Sequence, residues 1–301
     1  MICKILFVII LCLFEISIAV AKDTKESFDH WRASFELRAL KNGISFNILD
    51  LVFKNIKADE SIIRKDENQW PPKDVAYLEL MKNWLGPSTS GGLDRIKQGK
   101  ILLKKHSVLL EQVENKYGVD RNIIVAIWGI ESRYGEINGQ NDIIRSLATL
   151  AWEGRRRAFF EKELLASLRM LQGGYITHDN FKGSWAGAFG QCQFMPSNFF
   201  YYAQDGDGDG RKDLVGSLPD VFSSIAFYFK KSRWKRGAPV ARILWDNKKA
   251  GRPPLKKVNL GIKGAPELVL MKNAQSVMRW NRSHIFILKV QVLLEGFGRS
   301  G

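Results

Sequence analysis

Two wide apolar stripes at helical spacing run between Asp120 and Gln172, and a chain patterned this way has to bury helix against helix. In "YGVDRNIIVAIWGIE", Asp120 stands at the N-cap position, and Ile123, Ile124, Ile127 and Trp128 recur at the three/four spacing of a buried face. In "SLATLAWEGRRRAFFEKELLASLRML", Leu147, Leu150, Phe160, Leu164, Leu168 and Leu171 repeat that spacing, so the second segment is expected to pack beside the first. The first stripe, continued, lands on Glu131. An ionised carboxylate on a buried face costs several kcal/mol unless it is paired or its pKa rises until it is neutral. Arg133, Arg145 and Arg155 are the basic residues within reach along the sequence, which leaves two readings open. Glu131 is either a paired structural acid or a proton donor that burial keeps protonated.

The rest of the chain narrows the class. Its 301 residues are 45% apolar and 26% charged, enough for one or two globular domains with a sizeable core. Lys4, the apolar run "ILFVIILCLF" and "AVA" at Ala19–Ala21 have the three regions of a secretory signal peptide, and the run is too short for a membrane helix. Cys12 follows Leu11 inside that run, which argues against lipidation. Cleavage after Ala21 removes Cys3 and Cys12, so Cys192 is left without a disulfide partner and stability has to come from the core or a bound ion. The formal charge of +15 survives cleavage, because Lys4 and Glu15 cancel. A basic exported protein suggests an anionic polymer or surface as partner. Nucleic acid is set aside, since there is no zinc-finger pattern and no Arg/Lys-rich helical arm.

Residues 25–118 read as mostly helical, broken by "NQWPPKD" and "GPSTSGG". From 238 to 270, short apolar alternations such as "KKVNLGIKG" and "ELVLM" point to a small strand-rich lobe, and "NRSHIFILKVQVLLEGF" returns to helix. His30, His106, His178 and His284 lack metal-ligand spacing and read as surface or packing residues.

Two further stretches carry chemistry. "GSWAGAFGQCQFMPS" (183–197) sets glycines among aromatics and glutamines. It reads either as a tightly packed hairpin or as a sugar-binding wall, with Ser184, Gln191 and Gln193 as polar contacts and Trp185, Phe194 and Met195 as apolar ones. In "DGDGDGRKDLVGSLPD" (205–220), Asp205, Asp207 and Asp209 fill positions one, three and five of a calcium loop. Gly210 fills the sharp turn, and Arg211 offers the position-seven carbonyl. The twelfth position is Gly216 rather than Glu, so Asp213 and Asp220 are the candidates for the remaining ligands of an enlarged loop. The other reading is a solvated acidic turn; iron or zinc fits poorly, because all candidate donors are hard oxygens.

Taken in order, "AIWGIESRYG", "LATLAWEGRR", "GSWAGAFGQCQFMPS", the aspartate loop and "WNRS" resemble the lytic murein transglycosylase B family, over about Trp31 to Phe297. The resemblance implies a mainly α (α+β) fold: residues 22–118 a helical N-terminal domain, 119–237 a lysozyme-like catalytic core with an EF-hand-like calcium loop, 238–275 a small β-rich lobe and 276–301 a helix returning to the core. It implies an exported, periplasmic enzyme that cleaves the β-1,4 bond between N-acetylmuramic acid and N-acetylglucosamine and leaves a 1,6-anhydro end. Glu131 matches the single catalytic acid. Ser184, Gln193 and Met195 match residues that hold the sugar chain, Arg155 and Arg156 a pair near the peptide stems, and Tyr228 and Asn281 cleft residues. Calcium is the implied ion and glycan strands the implied partner, with association with membrane or wall-building machinery open and a monomer expected. Trp280 and Phe286 stand where the resemblance leads one to expect tyrosines, Phe159 where a tyrosine can occur, and Cys192 is unusual between two glutamines. The competing classes are a muramidase, which needs a second carboxylate such as Asp142 or Glu153, and a non-catalytic wall-binding module.

Overall fold

The computed structural model describes residues 26–68, 76–86, 94–244 and 257–298. The signal-peptide reading, most of "NQWPPKD" and nearly all of "GPSTSGG" lie outside the described residues. Among the described residues, six helices precede the Glu131 segment: α1 (Phe28–Lys41), α2 (Phe46–Phe53), α3 (Glu60–Glu67), α4 (Tyr77–Leu85), α5 (Arg95–Lys105) and α6 (Ser107–Tyr117). Ser27 starts α1 by accepting from the His30 amide at 3.2 Å.

Helix α7 (Arg121–Ser132) is the centre of the molecule. Ile123 through Ile127 are fully buried, so this helix is apolar on every side over its middle, the pattern of a core helix rather than a surface one. It packs against α5, α6, α11 (Leu218–Lys231) and α13 (His284–Phe297). Asp120 stands at its N-cap position, yet its carboxylate does not cap. It accepts from Trp234 Nε1 at 2.7 Å and from the Gly237 amide at 3.0 Å, and so ties the start of the strand-rich lobe to the core.

The second stripe folds as two helices, α8 (Ile143–Glu153) and α9 (Arg157–Gln172), packed closely together. Gly154 separates them at φ +99°, a left-handed turn that suits glycine and ends α8. Both helices support the N-terminal layer: α8 packs on α1 and α3, and from α9 Glu161 accepts from Trp31 Nε1 and Arg38, at 2.9 and 2.6 Å. A two-residue ribbon pairs β1 (Asn141–Asp142) with β2 (Lys182–Gly183), and α10 (Pro196–Tyr202) follows. The lobe is a three-stranded antiparallel sheet of order β3 (Ala241–Leu244), β5 (Glu267–Leu270), β4 (Lys257–Val258), with Val258, Leu268 and Val269 buried. Strand β3 lies on α13, where the Ala241 amide donates to Gln291 at 3.1 Å. Helix α12 (Ala274–Trp280) leads into α13. Among the described residues, no helix is long and apolar enough to cross a membrane.

Candidate active site

Glu131 occupies the last turn of α7, half-buried at the point where the apolar helix reaches the protein's surface. Its Oε1 accepts from Trp280 Nε1 at 2.6 Å. Burial is the main influence on the carboxyl and pushes its pKa up to about 7, against smaller opposing effects of the Trp280 bond and the positive charge of Lys289. The three arginines that could have neutralised it are engaged elsewhere. Arg133 donates to Gly86 O at 2.7 Å, Arg145 to Lys57 O at 3.0 Å, and Arg155 to Asp66. Neither candidate second carboxylate acts on Glu131. Asp142 caps α8 through the Arg145 amide at 2.9 Å, and Glu153 accepts from the Arg155 amide at 2.9 Å.

The glycine-rich stretch is a hairpin folded beneath this acid. Ser184 closes its first turn: its hydroxyl accepts from the Ala188 amide at 3.0 Å and its own amide donates to Ala188 O at 2.7 Å. Phe189 and Phe194 exchange backbone bonds at 2.9 and 3.1 Å. Gly187, at φ +92°, lies so close to Leu147 of α8 that any side chain there would collide with it. Gln193 is held at φ +49°, and its Nε2 donates to Gly190 O and Asn138 O. The two glutamines therefore part company. Gln191 is buried and spent on structure, its Oε1 accepting from Trp128 Nε1 at 2.8 Å and its Nε2 donating to Val215 O at 2.7 Å. Gln193 and Met195 are only partly buried.

Between the two glutamines, Cys192 is fully buried, and burial, with the nearby Glu131 charge, drives its thiol pKa far up. It is an apolar wall in its neutral form. Phe194 meets Trp280 at 5.4 Å between ring centres, Tyr228 meets Trp280 at 4.7 Å, and Phe229 stacks on Trp280 at 5.5 Å. The Tyr228 hydroxyl donates to Arg279 O at 2.6 Å, and burial pushes its pKa up to about 12. Asn281, exposed beside Trp280, accepts from the Ser283 amide at 3.0 Å.

Tyr228 thus joins Glu131 through a continuous set of contacts by way of Trp280, and Asn281 stands next to Trp280 in the chain. The arginine pair does not join this set. Arg155 and Arg156 both clasp buried Asp66 on α3, Arg156 at 2.8 Å, while roughly half of each side chain faces solvent. Trp280 and Lys289 are the residues that sequence reasoning left out of the site. The sequence marked Trp280 through its place beside Asn281 in "WNRS" and as a tryptophan where the resemblance leads one to expect a tyrosine, but gave it no role at Glu131; Lys289 sits in an ordinary amphipathic helix and gave no signal.

In the aspartate loop, carboxylate oxygens of Asp205, Asp207 and Asp209 lie within 4.8 Å of one another. Gly208 and Gly210, at φ +80° and +86°, let the backbone curl so that their amides donate to Asp205. Arg211 gives its amide to Asp209 at 2.7 Å, and Ser217 its hydroxyl to Asp207 at 2.8 Å. Asp213 and Asp220 stand outside the triad. Asp213 accepts from the Val215 and Gly216 amides, and buried Asp220 clamps the loop by accepting from Gly206 at 2.7 Å and Asp213 at 2.6 Å. Three converging carboxylates without nitrogen or sulfur donors fit a hard divalent cation such as calcium.

A family model described as "Transglycosylase SLT domain" matches residues 27–294. The chain belongs to the transglycosylase SLT domain family. Within that family it is similar to the membrane-bound lytic murein transglycosylase B of Escherichia coli (strain K12), with 33% identity over 222 residues. That match covers 71% of this chain and 59% of the relative, so the transglycosylase SLT domain chain spans about three fifths of that protein's length. SltB3 from Pseudomonas aeruginosa, in complex with NAG-NAM-pentapeptide, resembles it with a TM-score of 0.78 and 33% identity, over 92% of this chain and 80% of SltB3. The same protein in complex with NAG-anhNAM-pentapeptide matches with a TM-score of 0.78 and 33% identity, over 90% of this chain and 80% of its own. The Escherichia coli lytic transglycosylase Slt35 in complex with calcium has a TM-score of 0.74 and 26% identity, over 88% and 92% of the two chains.

Proposed function

We propose that this member of the transglycosylase SLT domain family is an exported lytic transglycosylase of peptidoglycan. It cleaves the β-1,4 bond between N-acetylmuramic acid and N-acetylglucosamine and leaves a 1,6-anhydro end. The observation that carries the reading is Glu131: a carboxyl raised to about 7 that, among the described residues, has Trp280 as its hydrogen-bond donor and no second carboxylate acting on it. Such a group is substantially protonated near neutral pH, where an ordinary glutamate is ionised. It donates its proton to the leaving oxygen, then takes one from the C6 hydroxyl of N-acetylmuramic acid as that oxygen closes on C1. A hydrolase of the usual two-carboxylate design would need a partner at roughly 5 to 10 Å. The relative that binds an anhydro-muramyl fragment supports the same product.

Ser184, Gln193 and Met195 hold the sugar chain along the hairpin, and Tyr228 and Asn281 complete the cleft. Arg155 and Arg156, half-exposed, meet the carboxylates of the peptide stems. Calcium in the 205–220 loop is held by Asp205, Asp207 and Asp209, with the Arg211 carbonyl, Asp213 and Asp220 completing the shell on binding; its role is structural. The chain divides into an N-terminal helical domain (22–118), a catalytic core (119–237), a strand lobe (238–275) and a returning helix (276–301). The enzyme works as a periplasmic monomer on glycan strands.

Mass spectrometry of digested peptidoglycan sacculi tests the reaction. The expected products are lighter by one water than those of a muramidase; products that have taken up water would overturn the reading. Glu131→Gln keeps the side-chain volume but can neither give nor take the proton, so release should fall by 10² to 10⁴. A folded variant that retains more than about a tenth of wild-type release would remove Glu131 from the reaction.

A further inference from the structure

The bond from Trp280 to Glu131 constrains more than the orientation of the acid. An indole N–H is a donor only. Oε1 is therefore held as an acceptor whether the carboxyl is charged or neutral, and the acid's own proton is directed to Oε2. The indole has little freedom to release this hold. It is stacked on Phe229 with the ring planes 7° apart, set edge-on to Tyr228 at 71°, and tilted against Phe194 at 48°. A tyrosine hydroxyl at this place could donate or accept, and would leave the proton a choice of two oxygens.

We propose that Trp280 is a positioning residue that fixes the transferable proton of Glu131 on Oε2. The inference rests on the reaction proposed above. The Oε2 proton passes to the bridging oxygen as the bond to C1 breaks. The C6 hydroxyl oxygen then bonds to C1 and returns its proton to Oε2, so the acid is regenerated and no water is consumed. One oxygen serves both steps, while the other stays on the indole throughout.

A hydrogen bond to a carboxylate favours its charged form, so the Trp280 bond also restrains the rise that burial imposes on Glu131. Among the described residues, the titratable and charged groups linked to the acid are Lys289 on α13 and the Cys192 thiol on the hairpin, with Arg95 on α5 acting on Lys289 and Tyr228 on α11 packed against the indole. Lys289 acts on Glu131 directly. Arg95 donates to Gly129 O at 2.6 Å and acts on Lys289, whose ammonium lies 5.1 Å from the centre of the Trp84 ring. None of these groups hydrogen-bonds the carboxyl among the described contacts.

Trp280→Phe keeps a ring in the stack and removes the donor. With soluble peptidoglycan fragments, the variant should still form anhydro products, with kcat lowered about tenfold, KM nearly unchanged, and the alkaline limb of the pH–kcat profile moved up by about one unit. Loss of the anhydro product in the wild-type enzyme would instead strike the proposed reaction itself. An alkaline limb that does not move, or a loss confined to KM and melting temperature, would overturn the positioning role. A second readout does not depend on how the variant folds. In the wild-type protein, one ¹⁵N indole resonance should titrate with a midpoint near the Glu131 value of about 7 and turn flat in Glu131→Gln. Absence of such a titrating indole would also overturn the proposal.

Discussion

At the scale of the residue, the cost of placing Glu131 on α7 sets the pH dependence of stability. Its carboxyl is raised from 4.5 to about 7 in the folded protein, so the folded chain holds this proton more tightly than the unfolded one. Below pH 4.5 both states are protonated and nothing is lost. As pH rises towards 7, ionisation becomes more costly in the folded state, and stability falls by about 3 kcal/mol at 1.36 kcal/mol per pKa unit. Glu131→Gln carries no such cost. Its melting temperature should match that of the wild type at pH 4 and exceed it at pH 8, in thermal melts followed by circular dichroism. A gap that stays constant with pH would mean that burial does not set this pKa. The position of the acid was legible because helical periodicity reaches it within one helix. The identity of its partner was not, because Trp280 lies 149 positions away in the sequence and only packing brings it back.

At the scale of the element, helices α7, α8 and α9 were legible wherever apolar spacing was regular, and the strand lobe wherever alternation was. Their details turned on tertiary contacts. Asp120 has the residue type and place of a cap, but Trp234 and Gly237 claim its oxygens. The aspartate loop was legible through its spacing, since alternate carboxylates and the glycines between them are local properties. Asp220 was readable as an acid near the loop, but not as the clamp on two of its amides. Calcium should stabilise the folded chain by the amount mass action allows, about 2.7 kcal/mol at a hundredfold excess over Kd, and so raise the melting temperature. The check is calorimetry of wild type and Asp207→Ala, each with calcium and with chelator. The wild type should shift and the variant should not; equal behaviour of the two would remove the ion from the loop.

At the scale of the whole molecule, the charge of +15 belongs to no single site, and composition alone disclosed it. Exposed charges are screened over about 8 Å at physiological salt, so binding to intact anionic sacculi should weaken as salt rises. Co-sedimentation across a salt series measures this, and a flat response would assign the binding to contacts at the site. The acid itself is assembled from parts far apart in the chain: α7 supplies the carboxyl, the hairpin its floor, α12 the indole and α13 the nearby ammonium. Contacts of such long separation form only when the intervening chain has condensed. Before α12 and α13 dock, Glu131 is a more hydrated side chain with a pKa nearer its ordinary value of 4.5, and it is largely ionised at neutral pH. The protonated carboxyl at neutral pH is therefore a property of the finished fold, in which burial outweighs the opposing pull of the indole and the ammonium, and of no stretch of the chain alone.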